Sequence, residues 1–506
     1  MTANPQPRTV RLNPDDDVVL AVDGLEPGMV VDGVTVVEKV PRGHKLAARD
    51  LAEGGTIRKF GQAIGVALRP IAAGQWVHEH NCGMGDHDRD YRFGIDARPL
   101  PPAERAETFE GFRRANGRVG TRNYVGILTS VNCSASVARF VAREVERSGM
   151  LEDFPNVDGV IPLVHATGCG MAAQGPGFDT LKRSLWGYAS NPNMAAVVMI
   201  GLGCEVFQIA MLKDAYGIEE GETFRTLTIQ QSGGTRRAVE AGVEAVREML
   251  PVAERARRET CLASELTLAL QCGGSDGYSG VTANPALGVA ADLLVRQGGT
   301  AILSETPEIY GAEHLLTRRA ASRKVGEKLL GVIRWWEEYA ARMGGDLNNN
   351  PSPGNKAGGL TTILEKSLGA AMKGGTSPLM DVVSYAEPVT TKGFIFMDTP
   401  GFDPVSATGQ VAGGANVLCF TTGRGSAYGC KPTPSIKLAS TTDIFLRMRD
   451  DMDLNCGDIL DGVSLAEKGE EIFREILAVA SGRRTRSECL GYGDAEFVPW
   501  QLGATM

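Results

Sequence analysis

Four cysteines share one setting. Cys133, Cys169, Cys204 and Cys272 each lie just beyond an apolar run, in loops of small or polar residues that read VNCSA, TGCGM, GLGCE and QCGGSD. An apolar run that ends in a glycine-rich turn is the pattern of a parallel strand. The C-terminal ends of such strands share one edge of a sheet, where ligands bind. The four thiols are therefore expected to converge on one site. Soft thiolates suit iron, iron–sulfur clusters or zinc, and a cluster held by three cysteines leaves one iron open to substrate oxygens. The competing reading is core packing, because free cysteine is among the most buried residue types. Cys419, inside NVLCF, is read that way, and Cys261, Cys430, Cys456 and Cys489 are read as structural.

Histidine is scarce, so its positions carry weight. His165 stands four residues before Cys169 and is a candidate base or metal ligand. His78 and His80 in VHEHNC are spaced i, i+2, which a strand would place on one face. They are candidate substrate contacts and alternative metal ligands, as is Glu205 beside Cys204. His44 in RGHKLA reads as a turn residue near a sheet. Lys356 and Lys366 flank tight glycine turns in NPSPGNKAGGLTTILEKSLG, and Arg424 lies between two glycines in FTTGRGSAYG. The planar fork of arginine pairs bidentately with carboxylate, and glycine-rich backbone admits an anion closely. GRGSAYG is not GxGxxG and no GxxxxGK[ST] occurs, so nucleotide binding is disfavoured. Asp276, Glu305, Glu308 and Glu313 are candidate proton carriers or cation ligands.

The elements that must hold these residues fall into blocks. Residues 8 to 80 read as short strands separated by Gly, Pro and Asp, a small all-β module. Residues 78–108 are polar, rich in Pro, Asp and Arg, and read as a linker or mobile flap. From Phe112 onward, apolar runs alternate with helical patterns, as in an α/β domain with a parallel sheet. The charged stretch PVAERARRETCLASE marks a subdomain boundary near residue 258. A chain of 506 residues should divide into two or three domains. Its net charge of −9 and lack of a basic run argue against nucleic acid, and a small-molecule partner fits better. The apolar stretches are too short to span a bilayer and the N-terminus lacks a signal-peptide core, so the expected compartment is the cytoplasm, with reduced thiols.

The strings HKLA with VHEHN, GFRRANGRVGTRNY, GLGCE, QCGGSDGYSGVTANP, SETPEIYGAE, NPSPGNKAGGL, EKSLG and FTTGRGS occur in order over nearly the whole chain. Together they resemble the altronate and galactarate dehydratase family. Combined with the boundaries above, the resemblance implies an α/β multidomain protein. Residues 1–95 would form a β-clip module of the SAF type, 96–112 a linker, and 113–258 a second α/β domain with a role in dimerisation. Residues 259–506 would form a Rossmann-like parallel-sheet catalytic domain. Iron, as Fe2+ or an iron–sulfur cluster, and a homodimer are also implied.

The implied reaction is β-elimination. A base takes the proton α to the substrate carboxylate, the neighbouring hydroxyl leaves as water, and the enol tautomerises to a 2-keto-3-deoxy acid. Metal coordination would stabilise the enediolate. Arg424, with Lys356 as a second cation, is expected to hold a carboxylate. His165 is the leading acid or base, followed by Asp276, and Lys356 joins the catalytic set. His78 and His80 would cap the crevice on a module swung by its linker. VHEHN resembles the altronate enzymes, whereas RETCLASEL and FPNVDGV resemble the galactarate enzymes. D-Altronate is the expected substrate, giving 2-keto-3-deoxy-D-gluconate. Galactarate, giving 5-keto-4-deoxy-D-glucarate, is second. The rival classes are a metal-free thiol enzyme and a noncatalytic sugar-acid-binding protein.

Overall fold

The structure, a computed structural model, describes residues 7–85 and 89–506. The strand Val18–Ala21 shows how the N-terminal module is built. All four residues are buried, and successive side chains point to opposite faces. Val19 and Ala21 enter the module's own core, while Val18 and Leu20 pack against Leu368 and Tyr278 of the C-terminal region. Thr9–Val10, Val18–Ala21, Lys45–Ala47 and Trp76–Val77 form one antiparallel sheet; Thr56–Lys59, Gln62–Ala67 and Cys82–Gly83 form another. The module is all-β, and it shares apolar cores with the large domain.

Two parallel sheets follow. In the first, β1 (Tyr124–Thr129), β2 (Gly159–Leu163), β3 (Met194–Gly201) and β4 (Phe224–Thr228) lie in the order β2-β1-β3-β4. The helices Ala135–Ser148 and Thr235–Glu254 cover one face, and Pro176–Ala189 packs on the other. In the second, β5 (Thr267–Cys272), β6 (Thr300–Leu303), β7 (Leu379–Val383), β8 (Gly393–Met397), β9 (Val417–Thr422), β10 (Ser435–Ala439) and β11 (Leu454–Asn455) lie in the order β7-β8-β6-β5-β9-β10-β11. All six residues of β9 are buried, as expected of a strand with both faces covered. Near residue 258 the chain forms an antiparallel strand, Arg258–Leu262, which pairs with Thr108–Arg113 before the second sheet begins. Among the described residues, no helix is long and apolar enough to cross a membrane.

The strand order reverses at β5. From there the chain runs to β6, on to the outer strand β7 and back to β8 between them, then crosses past β6 and β5 to β9. The loops after β5 and β9 thus diverge from neighbouring strands, which in open α/β sheets opens a ligand crevice. QCGGSDG and TTGRGS form those loops.

Candidate active site

The crevice floor is held by glycines that no larger residue could replace without movement. A Cβ on Gly423 would lie 2.3 Å from Asp276 Oδ1, and one on Gly358 would lie 2.9 Å from Asp276 Cβ and 3.3 Å from Arg424 Cδ. Asp276 Oδ1 accepts from the backbone N–H of Tyr278 (3.1 Å) and Ser279 (2.9 Å), and from the hydroxyls of Ser279 (2.9 Å) and Ser440 (3.2 Å). Burial raises its pKa despite these bonds. Oδ1 thus pins the β5 loop, while Oδ2 is approached by Ser440 Oγ at 3.4 Å. Arg424 is exposed, and its guanidinium makes no hydrogen bond or ion pair among the described residues. Lys356 sits on the short helix Pro353–Ala357, tied to the β5 loop by Asn355 Nδ2 donating to the Ser275 carbonyl at 2.8 Å. Lys356 Nζ lies 3.8 Å from Glu79 of the roof.

The roof is the N-terminal module, and buried charge fixes it. Lys45 and Lys59 donate to the two oxygens of Glu365 at 2.8 and 2.9 Å, and none of the three side chains is more than 2% exposed. Burial opposes ionisation of Glu365, but the two ammonium groups hold its pKa well below the carboxylate range. Lys45 also donates to the Gly359 carbonyl at 2.6 Å, and Tyr278 Oη donates to that of Val22 at 2.8 Å. Nor is the connecting segment loose over residues 89–107. Tyr91 Oη donates to Glu313 at 2.6 Å, Arg318 to Asp96 at 2.7 Å, and Ala103 N to Arg296 O at 3.0 Å. This corrects the expected mobile flap and swinging cap: detachment would leave Glu365 unpaired.

The roof gathers three imidazoles around Trp76. The strand ends at Val77 and the chain turns, with Asn81 N and Cys82 N both donating to His78 O. His78 and His80 are therefore not on one strand face, yet both rings pack on Trp76, at 5.1 and 5.0 Å between centroids. Trp76 Nε1 donates to His44 Nδ1 at 3.2 Å, so neutral His44 carries its proton on Nε2, 3.4 Å from the Ala357 carbonyl. Nδ1 of His78 is buried and, among the described residues, has no hydrogen-bond partner, and its Nε2 lies 3.9 Å from Glu79. Burial, then nearby Lys45, pushes His44 to about 4 and His78 to about 3.

Beneath the β5 loop lies a second charged cluster. Cys272, Glu305 and Glu308 bring one ligand atom each within 4.8 Å of one another. Lys373 Nζ approaches Cys272 Sγ at 2.8 Å and Glu305 at 3.6 Å, while Lys366 binds Glu308 at 2.7 Å. Burial pushes the Cys272 thiol up to about 12. Glu305 is raised well above its ordinary value by burial and by Glu308; Glu308 is lowered, because Lys366 and Lys373 outweigh burial. Cys272 is thus a buried thiol held by Lys373 on the second sheet.

The other three thiols end β1, β2 and β3 of the first sheet, and all are exposed. The single edge expected for four cysteines is corrected to two sheets, carrying three and one. His165 lies beneath the exposed thiols, with its Nε2 donating to Thr129 O at 2.9 Å and its Nδ1 accepting from Thr167 N at 3.3 Å. Both nitrogens are occupied, so His165 braces the loop and is not placed as a base. Glu205 is similarly occupied, by Ser130 Oγ at 2.5 Å and Gly203 N at 2.6 Å.

Burial lowers His165 to about 4. The unfolded chain therefore takes up the proton first as pH falls. The stability from the neutral ring is complete above about pH 6.5 and is lost as pH falls through about 4, costing about 2 kcal/mol at pH 5. Thermal melts at pH 7 and pH 5 should show wild type losing this margin and His165→Asn not losing it. Equal pH dependence would contradict the assignment.

Three family models match consecutive parts of the chain: altronate/galactarate dehydratase SAF domain (residues 7–85), D-galactarate dehydratase/altronate hydrolase second domain (111–254) and D-galactarate/altronate dehydratase C-terminal domain (263–505). The chain is 41% identical over 488 residues to the galactarate dehydratase (L-threo-forming) of Escherichia coli (strain K12), covering 94% of this chain and 93% of that one. It belongs to the altronate and galactarate dehydratase family. Altronate dehydratases of Escherichia coli (strain K12) and Bacillus subtilis (strain 168) are each 35% identical to it, over 95% of this chain and 96% of theirs.

Within this altronate/galactarate dehydratase family chain, some motif residues serve structure. Arg122 of GTRNY is buried, clasping Glu488 at 2.6 and 2.8 Å and the carbonyls of Val479 and Arg483. Sequence reasoning missed Lys45, Lys59, Glu365 and Lys373, although HKLA and EKSLG contain two of them. The donor chemistry that fits iron is that of Cys133, Cys169 and Cys204, three exposed soft ligands, whereas Cys272 is taken by Lys373.

Proposed function

We propose that the chain is a sugar-acid dehydratase working in the crevice between the β5 and β9 loops, under the N-terminal module. The observation that carries this reading is Arg424, whose guanidinium has no ion pair among the described residues, at the strand-order reversal and near His44 of the roof. Arg424 receives the substrate carboxylate in a bidentate pair. The arriving negative charge favours imidazolium and so restores basicity to His78, whose Nδ1 has no hydrogen-bond partner among the described residues. We assign His78 the α-proton. Lys356, 3.8 Å from Glu79, and His80, packed on Trp76, are assigned the substrate hydroxyls. Cys133, Cys169 and Cys204 are the exposed thiols that would hold iron, which would supply Lewis-acid chemistry when bound.

D-Altronate, with one carboxylate, suits a site with one unpaired cation. Galactarate is the second reading, favoured by the higher identity to a galactarate dehydratase and by Lys356, whose 3.8 Å contact with Glu79 is loose enough to yield to a second carboxylate. Protein purified without oxygen and supplied with ferrous iron should form a 2-keto-3-deoxy acid from one of these two acids in a panel of aldonates and aldarates. Binding without product across the panel would replace the enzyme by a sugar-acid-binding protein.

A further inference from the structure

We infer that a cavity at the N-terminal edge of the two parallel sheets binds a sugar-sized organic anion carrying two or more negative charges. It lies at the opposite strand ends from the crevice and does not rest on the dehydratase reading.

Strand starts fix its place. Lys392 and Asn416 stand immediately before β8 and β9, Thr267 is the first residue of β5, and all three line one cavity of about 670 Å³. The helix Pro176–Ala189 brings Arg183 and Trp186 to the same cavity, and the segment before β1 brings Arg118. Small-molecule pockets run to roughly 300–1,000 Å³, so the space suits a whole metabolite.

The lining carries unbalanced charge. Its charged residues are Arg118, Arg183, Lys392 and Glu265, three cations to one carboxylate. Among the described residues, none of the three cations has an ion pair, and each is held by neutral groups. Arg118 Nη1 donates to Ser190 O at 2.9 Å, Arg183 Nε to Tyr385 O at 2.8 Å, and Lys392 Nζ to Ser264 O at 2.6 Å. These carbonyls anchor the side chains without neutralising them and leave N–H donors on both guanidinium forks. Arg118 keeps part of its side chain in water, yet the walls around its guanidinium disfavour the charge and no carboxylate offsets this. Gly414, at φ +114°, makes room for it, since a Cβ there would lie 2.9 Å from Arg118 Nη2. The single carboxylate is shared, because Glu265 also interacts with Arg113, which does not line the cavity.

The ligand class follows from the two kinds of wall. Trp186 and Tyr216 both line the cavity and stack at 5.3 Å between centroids. Arginine forks take carboxylate or phosphate bidentately, and a flat aromatic pair covers a carbon skeleton. A neutral sugar would leave three cations uncompensated. An inorganic anion would leave the aromatic pair uncovered, and the concave shape favours a small molecule over a protein face.

The test is calorimetric titration of the full chain with two six-carbon probes, adipate as a dicarboxylate and glucose 6-phosphate as a phosphate, with glucose as the neutral control. Expected is binding of at least one anion and none of glucose, with affinity falling roughly 10-fold or more in Arg118→Met and in Lys392→Met. The probe that binds tells carboxylate from phosphate. Both positions are exposed, so both variants should melt as wild type does, and either one alone suffices for the test. Arg424→Met should bind the probe as wild type does, which separates this cavity from the crevice. Binding of neither anion, equal binding of glucose, or affinity unchanged in both variants or lost in Arg424→Met would overturn the proposal. So would a wild-type dimer that falls to monomers in these variants, since the wall would then be an interface between copies.

Discussion

His78→Gln is expected to lower kcat by roughly 10²- to 10⁴-fold, the usual contribution of a positioned base. Gln preserves size and polarity but cannot accept the α-proton. The effect should appear in kcat more than in KM, because carboxylate binding is left to Arg424. Iron content should match wild type and the melting temperature should fall only slightly, since among the described residues His78 Nδ1 has no hydrogen-bond partner and the ring's main contact is the stack on Trp76. The checks are steady-state kinetics and exchange of the α-hydrogen with deuterated solvent. Exchange that continues at the wild-type rate in the variant would assign the base elsewhere.

Glu365→Ala is expected to be the most destabilising single change in the crevice. It leaves Lys45 and Lys59 facing each other with their shared carboxylate removed, all within a site where no side chain is more than 2% exposed. Removing one partner of a buried ion pair costs about 3–5 kcal/mol. Because both lysines belong to the N-terminal module and Glu365 to the helix Ile363–Ala371, the loss falls on the junction. Calorimetry should show the module melting before the rest, with turnover lost as it detaches. A single transition at the wild-type temperature would show that apolar packing of Val18, Leu20 and their neighbours holds the roof without the triad.

The crevice was legible in part. QCGGSDG and TTGRGS were placed correctly at strand ends, because an apolar run closed by glycines constrains the backbone locally. Sheet membership is not local. The loop of Cys272 resembles those of Cys133, Cys169 and Cys204, yet it ends β5 of a different sheet, and only strand pairing reveals this. His78 and His80 share the Trp76 ring, although the strand that should have aligned them ends at Val77. Lys45 and Glu365 are 320 residues apart, so no sequence period couples them. His165 beside Cys169 looked like a base because spacing does not show that Thr129 O and Thr167 N occupy its ring. The all-β module was readable from its alternation, but its fixed seat was not, because the anchoring groups come from the far end of the chain.

The substrate carboxylate is assigned to Arg424 in the crevice between β5 and β9. The direct measurement is kcat/KM of Arg424→Met on the acid that the wild type dehydrates, with iron content matched. Loss of a charge-assisted bidentate pair predicts a fall of roughly 10- to 150-fold, carried mainly by KM. An unchanged kcat/KM would place the substrate outside this crevice and contradict the account.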